Sequence, residues 1–201
     1  FMLAFLIYNE AVIMALDFAG ILGKLLFGLD QTGLILFFIL VQATNVIGAL
    51  AFGQLQDRIG GKRALTLAIW LMVACVGVLY FAQSQMHFFA IGVFVGVAMA
   101  GIQSVSRAMV ATFSPPGKSG EFFGFFALTG RTSSFIGPAI FGWVAAEATL
   151  WYQTQGQATT LAEQSGHRLA ILVIGVFLIA GWLLMAFVNE RKAREAAIRE
   201  T

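Results

Sequence analysis

Gly53-Gln54-Leu55-Gln56-Asp57-Arg58-Ile59-Gly60-Gly61-Lys62-Arg63 separates two long apolar segments. The pattern is G-x-x-x-D-R-x-G-x-K-R, a tight charged turn between two membrane helices. Gly53 lets helices approach closely near a membrane face. Asp57 falls at a helix end, where it can pair with a cation or with the positive N-terminal end of another helix. Gly60 and Gly61 supply the backbone freedom a very short connection needs. Arg58, Lys62 and Arg63 form the basic cluster of a cytoplasmic loop. The plain reading is an ordinary positive-inside loop, but the full spacing is more specific than such a loop requires.

The composition around this turn agrees with a membrane protein. Of 201 residues, 59% are hydrophobic and 11% are charged, and the mean hydropathy is +0.86. Soluble domains rarely combine these values. The net charge is +2 and the basic residues gather at segment ends, so nucleic-acid binding has no support. Cys75 stands alone inside an apolar run and reads as a packing residue. There is no nucleophile elbow and no pair of histidine ligands, and His87 and His167 lie at segment ends. The sequence therefore points away from an enzyme, a metal site or a cofactor. It opens Phe1-Met2, and we expect the numbering to begin inside a longer protein.

Six segments are long enough to cross the hydrocarbon core, near 2–28, 32–55, 64–82, 87–111, 122–146 and 167–188. A crossing takes about 20 helical residues. Length, apolar content and internal glycines favour helices over barrel strands, which would alternate with period two. The expectation is an all-α polytopic bundle over 1–188 with a tail at 189–201. Arg58/Lys62/Arg63, Arg107/Lys118 and the tail Arg191/Lys192/Arg194/Arg199 fall at alternate segment ends, while 28–31, 83–86 and 147–166 carry no Lys or Arg. Both termini are then cytoplasmic. Trp151 and Tyr152 suit an interfacial aromatic belt, and 147–166 reads as an outer loop.

The segments differ in polarity. The third and sixth are almost wholly apolar and read as lipid-facing. The other four carry polar groups at depth, where an ionisable side chain facing lipid is costly, so they should line an aqueous cavity. Glu10, Asp17 and Lys24 recur every seven residues and share one helix face. Glu10 and Asp17 are ~10 Å apart along the axis; each either takes a proton or a cationic group of a solute, or pairs with a cation on a neighbouring helix. Gln42 and Asn45 are candidates for solute hydrogen bonds or for interhelical contacts. Gln103 is a cavity candidate on the fourth segment. Arg107 lies at the level of Asp57, and we expect these two to form a latch, the alternative being that Arg107 snorkels to headgroups. Arg131 falls ~15 Å past Glu121, near mid-membrane. It needs Glu10, Asp17 or an anionic group of the cargo, since guanidinium binds carboxylate bidentately. Gly137-Pro138 should kink the fifth helix.

The signature turn resembles the loop that follows the second helix of each half in the major facilitator superfamily. Further strings resemble one branch of it, the autophagy-linked vacuolar amino-acid exporter-like permeases and their bacterial relatives: Tyr8-Asn9-Glu10, Gly101-Ile102-Gln103-Ser104-Val105-Ser106-Arg107, Glu121-Phe122-Phe123-Gly124-Phe125, and Gly130-Arg131 followed by Gly137-Pro138. They cover most of the chain and match the C-terminal six-helix half. That branch more often has aspartate at the place of Glu10 and lysine at the place of Arg131; both changes keep the charge. The resemblance implies two inverted three-helix repeats and a secondary transporter of small solutes such as amino acids. Glu10 and Asp17 would serve proton coupling, Gln42, Asn45, Gln103 and Arg131 the solute, and Asp57, Arg58 and Arg107 gating. Alternating access needs two six-helix halves. The partners expected are the bilayer, a small solute, and either the N-terminal half of the same transporter or a second copy in a homodimer. The expected residence is a bacterial inner membrane. The alternative function is a non-transporting membrane assembly module.

Overall fold

The computed structural model describes residues 1–132 and 135–190. Among them there are only helices: α1 (Met2–Phe27), α2 (Gln31–Ile59), α3 (Gly61–Phe81), α4 (Gln85–Phe113), α5 (Ser119–Thr132), α6 (Ile136–Thr154) and α7 (Thr159–Ala186). Five of these, α1 to α4 and α7, are long and apolar enough to cross a membrane.

Local chemistry sets the ends. Gly28 closes α1 in the left-handed conformation at φ 65°, and Asp30 caps α2 by accepting from the Gly33 N–H at 2.8 Å. Ser84 accepts from the His87 N–H at 3.3 Å to start α4. In the signature turn Gly60 alone separates α2 from α3, at φ 88°, where a side chain would be strained. The turn is then fastened to the far end of the chain. The Gly61 and Lys62 N–H groups donate to the Glu190 carboxylate at 3.2 and 3.1 Å. Lys62 Nζ donates to the Ala186 and Val188 carbonyls at 2.8 and 2.7 Å. An acid thus serves the open donors of α3, and a cation serves the open acceptors of α7.

The packing repeats after three spans. The pair α1 and α7 pack as α4 and α3 do, and α2 packs on α4 while α6 packs on α1. This is the neighbour pattern of two three-helix repeats, and an odd number of crossings in each repeat inverts one relative to the other. The α2–α4 contact is close because α4 offers glycine: a Cβ on Gly96 would meet Thr44 Oγ1 and lie 2.5 Å from the Val41 carbonyl oxygen. The core joins Met14, Leu65, Ile69, Met99, Ile102 and Ile171 from four helices. Phe18 stacks on Phe141 at 3.9 Å and Phe5 on Phe126 at 4.2 Å.

Three expectations need correction. The fifth span, expected as one helix over 122–146, is described as α5 and α6, with Phe135 in a turn just ahead of α6. The sixth begins at Thr159 rather than 167. The expected outer loop over 147–166 is helical except at 155–158, because its Ala and Gln are good helix formers and polarity alone does not end a helix. The expected tail lies outside the described residues beyond Glu190.

Candidate functional site

Glu10 is the most constrained of the expected residues. It lies on α1, ~12 Å from the helix start, and is 0% exposed. Its Oε2 accepts from the Gly137 N–H at 2.6 Å, while Oε1 is buried without a hydrogen-bond partner. Gly137 is the second residue of α6, whose N-cap residue Phe135 offers no side-chain cap. Glu10 therefore supplies from another helix the anion that the positive end of α6 favours.

The other expected residues are more open. Asp17 and Lys24 continue the Glu10 face of α1 and are exposed. Gln42 is exposed and Asn45 half-buried, and Asn45 Nδ2 donates to Gln42 Oε1 at 3.4 Å. Gln103 is half-buried on α4, and Arg131 is exposed near the end of α5. Among the described residues no ion pair joins Arg131 to Glu10 or Asp17, and none joins Asp57 to Arg107, which are both exposed, as is Arg58. The latch is therefore not formed in this conformation. Glu10 is held by a backbone donor rather than by a neighbouring cation.

Two polar features escaped the sequence. Tyr8 is fully buried, and its hydroxyl lies 2.7 Å from Ser106 Oγ. Ser106 in turn donates to the Ile102 carbonyl at 2.5 Å, so Tyr8 is the donor of the first bond. Ser104 Oγ is buried without a partner. The strings Tyr8-Asn9-Glu10 and Gln103-Ser104-Val105-Ser106 hold all of these residues, and a polar group inside an apolar helix is the signal that marks them. A small cavity of about 50 Å³ lies elsewhere, among apolar side chains such as Leu16, Phe37, Met72 and Met99. It offers a polar solute nothing to bind.

On the exposed surface the helices divide. Every exposed residue from Leu67 to Phe81 on α3, and from Leu169 to Phe187 on and just beyond α7, is apolar. Asp17, Lys24, Gln42 and Arg131 are exposed on α1, α2 and α5. The arrangement can present charge and hydrogen bonding to water or protein on one side and hydrocarbon to lipid on the other.

The profile of the family described as "Vacuole effluxer Atg22 like" matches residues 1–198. An uncharacterized MFS-type transporter, YxiO, of Bacillus subtilis (strain 168) is 25% identical over 98% of this chain and 42% of its own length. Autophagy-related protein 22 of Candida glabrata is 26% identical over 71% of this chain and 28% of its own. Autophagy-related protein 22 of Saccharomyces cerevisiae (strain ATCC 204508 / S288c) is 25% identical over 71% of this chain and 29% of its own. The chain thus spans less than half the length of these relatives. No solved structure matches it.

Proposed function

The chain belongs to the Atg22-like vacuole effluxer family, and from that premise we propose that it is one half of a secondary transporter of small solutes. The half works by alternating access, against either the N-terminal half of the same protein or a second copy. The proposed driving force is a proton gradient, with Glu10 as the coupling group and Asp17 as a second carboxylate on the same face. The solute class we favour is amino acids: Arg131 would bind a carboxylate, and Gln42, Asn45 and Gln103 would complete its hydrogen bonds. Asp57, Arg58 and Arg107 sit at the proposed cytoplasmic ends, where an ion pair can form and break between states. The Bacillus relative aligns over nearly the whole chain, which supports a bacterial cell membrane as the residence, with both termini cytoplasmic.

The observation that carries this reading is Glu10. A carboxyl group wholly removed from solvent at membrane depth, with one oxygen unpartnered, is costly to keep and has a use in proton movement. The test is uptake into liposomes containing the full-length protein, with an inward proton gradient and a mixture of radiolabelled amino acids. We expect accumulation that a protonophore abolishes. Glu10→Gln should lower accumulation at least tenfold while sparing solute exchange. Intact accumulation in Glu10→Gln removes Glu10 from coupling. Absence of any flux from a protein that dimerises tightly favours the assembly module instead.

A further inference from the structure

The proposed coupling site contains a group that the reading above does not use, the backbone of Gly137. Resting on the proposal that Glu10 takes a proton, we infer that Gly137 is a positioning residue of that site and gives the two oxygens of Glu10 different roles: Oε2 is held, and Oε1 takes the proton.

The geometry leaves little choice. At the start of α6, Pro138 has no N–H, and the Ala139 N–H already donates to the Phe135 carbonyl at 3.1 Å. Of residues 137 to 139, only the Gly137 N–H is available to another helix, and Glu10 Oε2 accepts it at 2.6 Å. The position admits only glycine without rearrangement: a Cβ there would lie 2.8 Å from Oε2 and 3.1 Å from Met14 Cγ. With an N–H donor this close on Oε2, a second hydrogen on that oxygen would crowd the first. The incoming proton therefore forms its O–H bond at Oε1, the buried atom without a partner. The carboxylate becomes a neutral carboxyl whose remaining carbonyl oxygen still accepts from Gly137. No other bond is made or broken.

The surrounding charges do not take over this role. Tyr8, two residues before Glu10, spends its hydroxyl on Ser106. On α4 Arg107 is exposed, and on α5 Glu121 and Arg131 are exposed. The titratable groups of α6 and α7 are Glu147, Tyr152, Glu163, His167 and Arg168, and α4 also carries His87. Among the described residues none of them bonds to Glu10.

The test is infrared difference spectroscopy between acid and alkaline pH on the full-length protein, read in the carbonyl-stretch region of protonated carboxyl groups. Glu10→Gln identifies the Glu10 band by its loss. Gly137→Ala displaces the carboxyl group, and Glu10→Asp withdraws it by one methylene without adding bulk, which covers failure of the alanine variant to fold. In both, the band should move to higher frequency, as for a carbonyl released from a donor. Gly142→Ala, where a Cβ would meet nothing within 4 Å, should leave it in place. A residue-10 carboxyl band at the wild-type frequency in both Gly137→Ala and Glu10→Asp overturns the role of Gly137 while leaving a carboxyl at position 10 as a proton carrier. Loss of no band in Glu10→Gln overturns this inference and the assignment of Glu10 to coupling together.

Discussion

At the scale of single residues, the buried polar groups of this half differ in how many partners each can lose. Tyr8 has one acceptor, Ser106 Oγ at 2.7 Å, whereas Ser106 is also bonded to the Ile102 carbonyl at 2.5 Å. Removing the phenol hydroxyl leaves Ser106 satisfied. Removing the serine hydroxyl leaves a buried donor with nothing to receive it. Tyr8→Phe should therefore cost about 1 kcal/mol, and Ser106→Ala about 1–3 kcal/mol. The double variant should be close to Tyr8→Phe alone, since the orphaned hydroxyl is then gone. Thermal unfolding of the full-length protein in detergent gives this order; equal or reversed losses would show that the bond is not buried as described. The sequence displayed Tyr8 and Ser106 as polar residues in apolar helices, but 98 positions separate them. No periodicity within one helix can reveal a pair formed between two.

At the scale of elements, helix ends are completed by residues from elsewhere in the chain. Glu190 accepts from two N–H groups at the start of α3, and Lys62 donates to two carbonyls at the end of α7. Each cap is worth about 1 kcal/mol. In Glu190→Ala the amides of Gly61 and Lys62 should exchange with solvent roughly fivefold faster, the factor that corresponds to that loss. Hydrogen exchange read by mass spectrometry reports it, and unchanged protection would deny the clasp. Lys62 was legible as a basic loop residue but not as a cap, because the acceptors belong to a segment more than a hundred residues away. Gly137-Pro138 shows a similar limit. Proline within a hydrophobic run reads as a kink, yet it is equally at home in the first turn of a new helix, where no N–H is required. In that first turn the carboxylate of Glu10, arriving from α1, accepts from the Gly137 N–H.

At the scale of the whole molecule, the exposed faces determine what can surround this half. A charged side chain facing hydrocarbon at depth is costly, and Asp17 is exposed. The side bearing Asp17 and Gln42 should therefore meet water or protein, and the apolar exposed faces of α3 and α7 should meet lipid. Charge inside an apolar segment is legible in the sequence directly; the depth and angle of each side chain are not, because they depend on which helices become neighbours. The division makes a prediction about the proposed full-length transporter. In a full-length Cys75→Ala background, single cysteines at Asp17 and Gln42 should react with a water-soluble maleimide at least tenfold faster than cysteines at Trp70 and Val176. All four positions are exposed in this half, Trp70 and Val176 at 44% and 63%, so burial does not account for such a difference, whereas water on one side and acyl chains on the other does. If Trp70→Cys and Val176→Cys react as fast as Asp17→Cys, both faces are wetted and the division into cavity and lipid sides is wrong. If Asp17→Cys and Gln42→Cys are protected from both sides of the membrane, a partner half covers them in every state, and the face is a permanent interface rather than a route for solute.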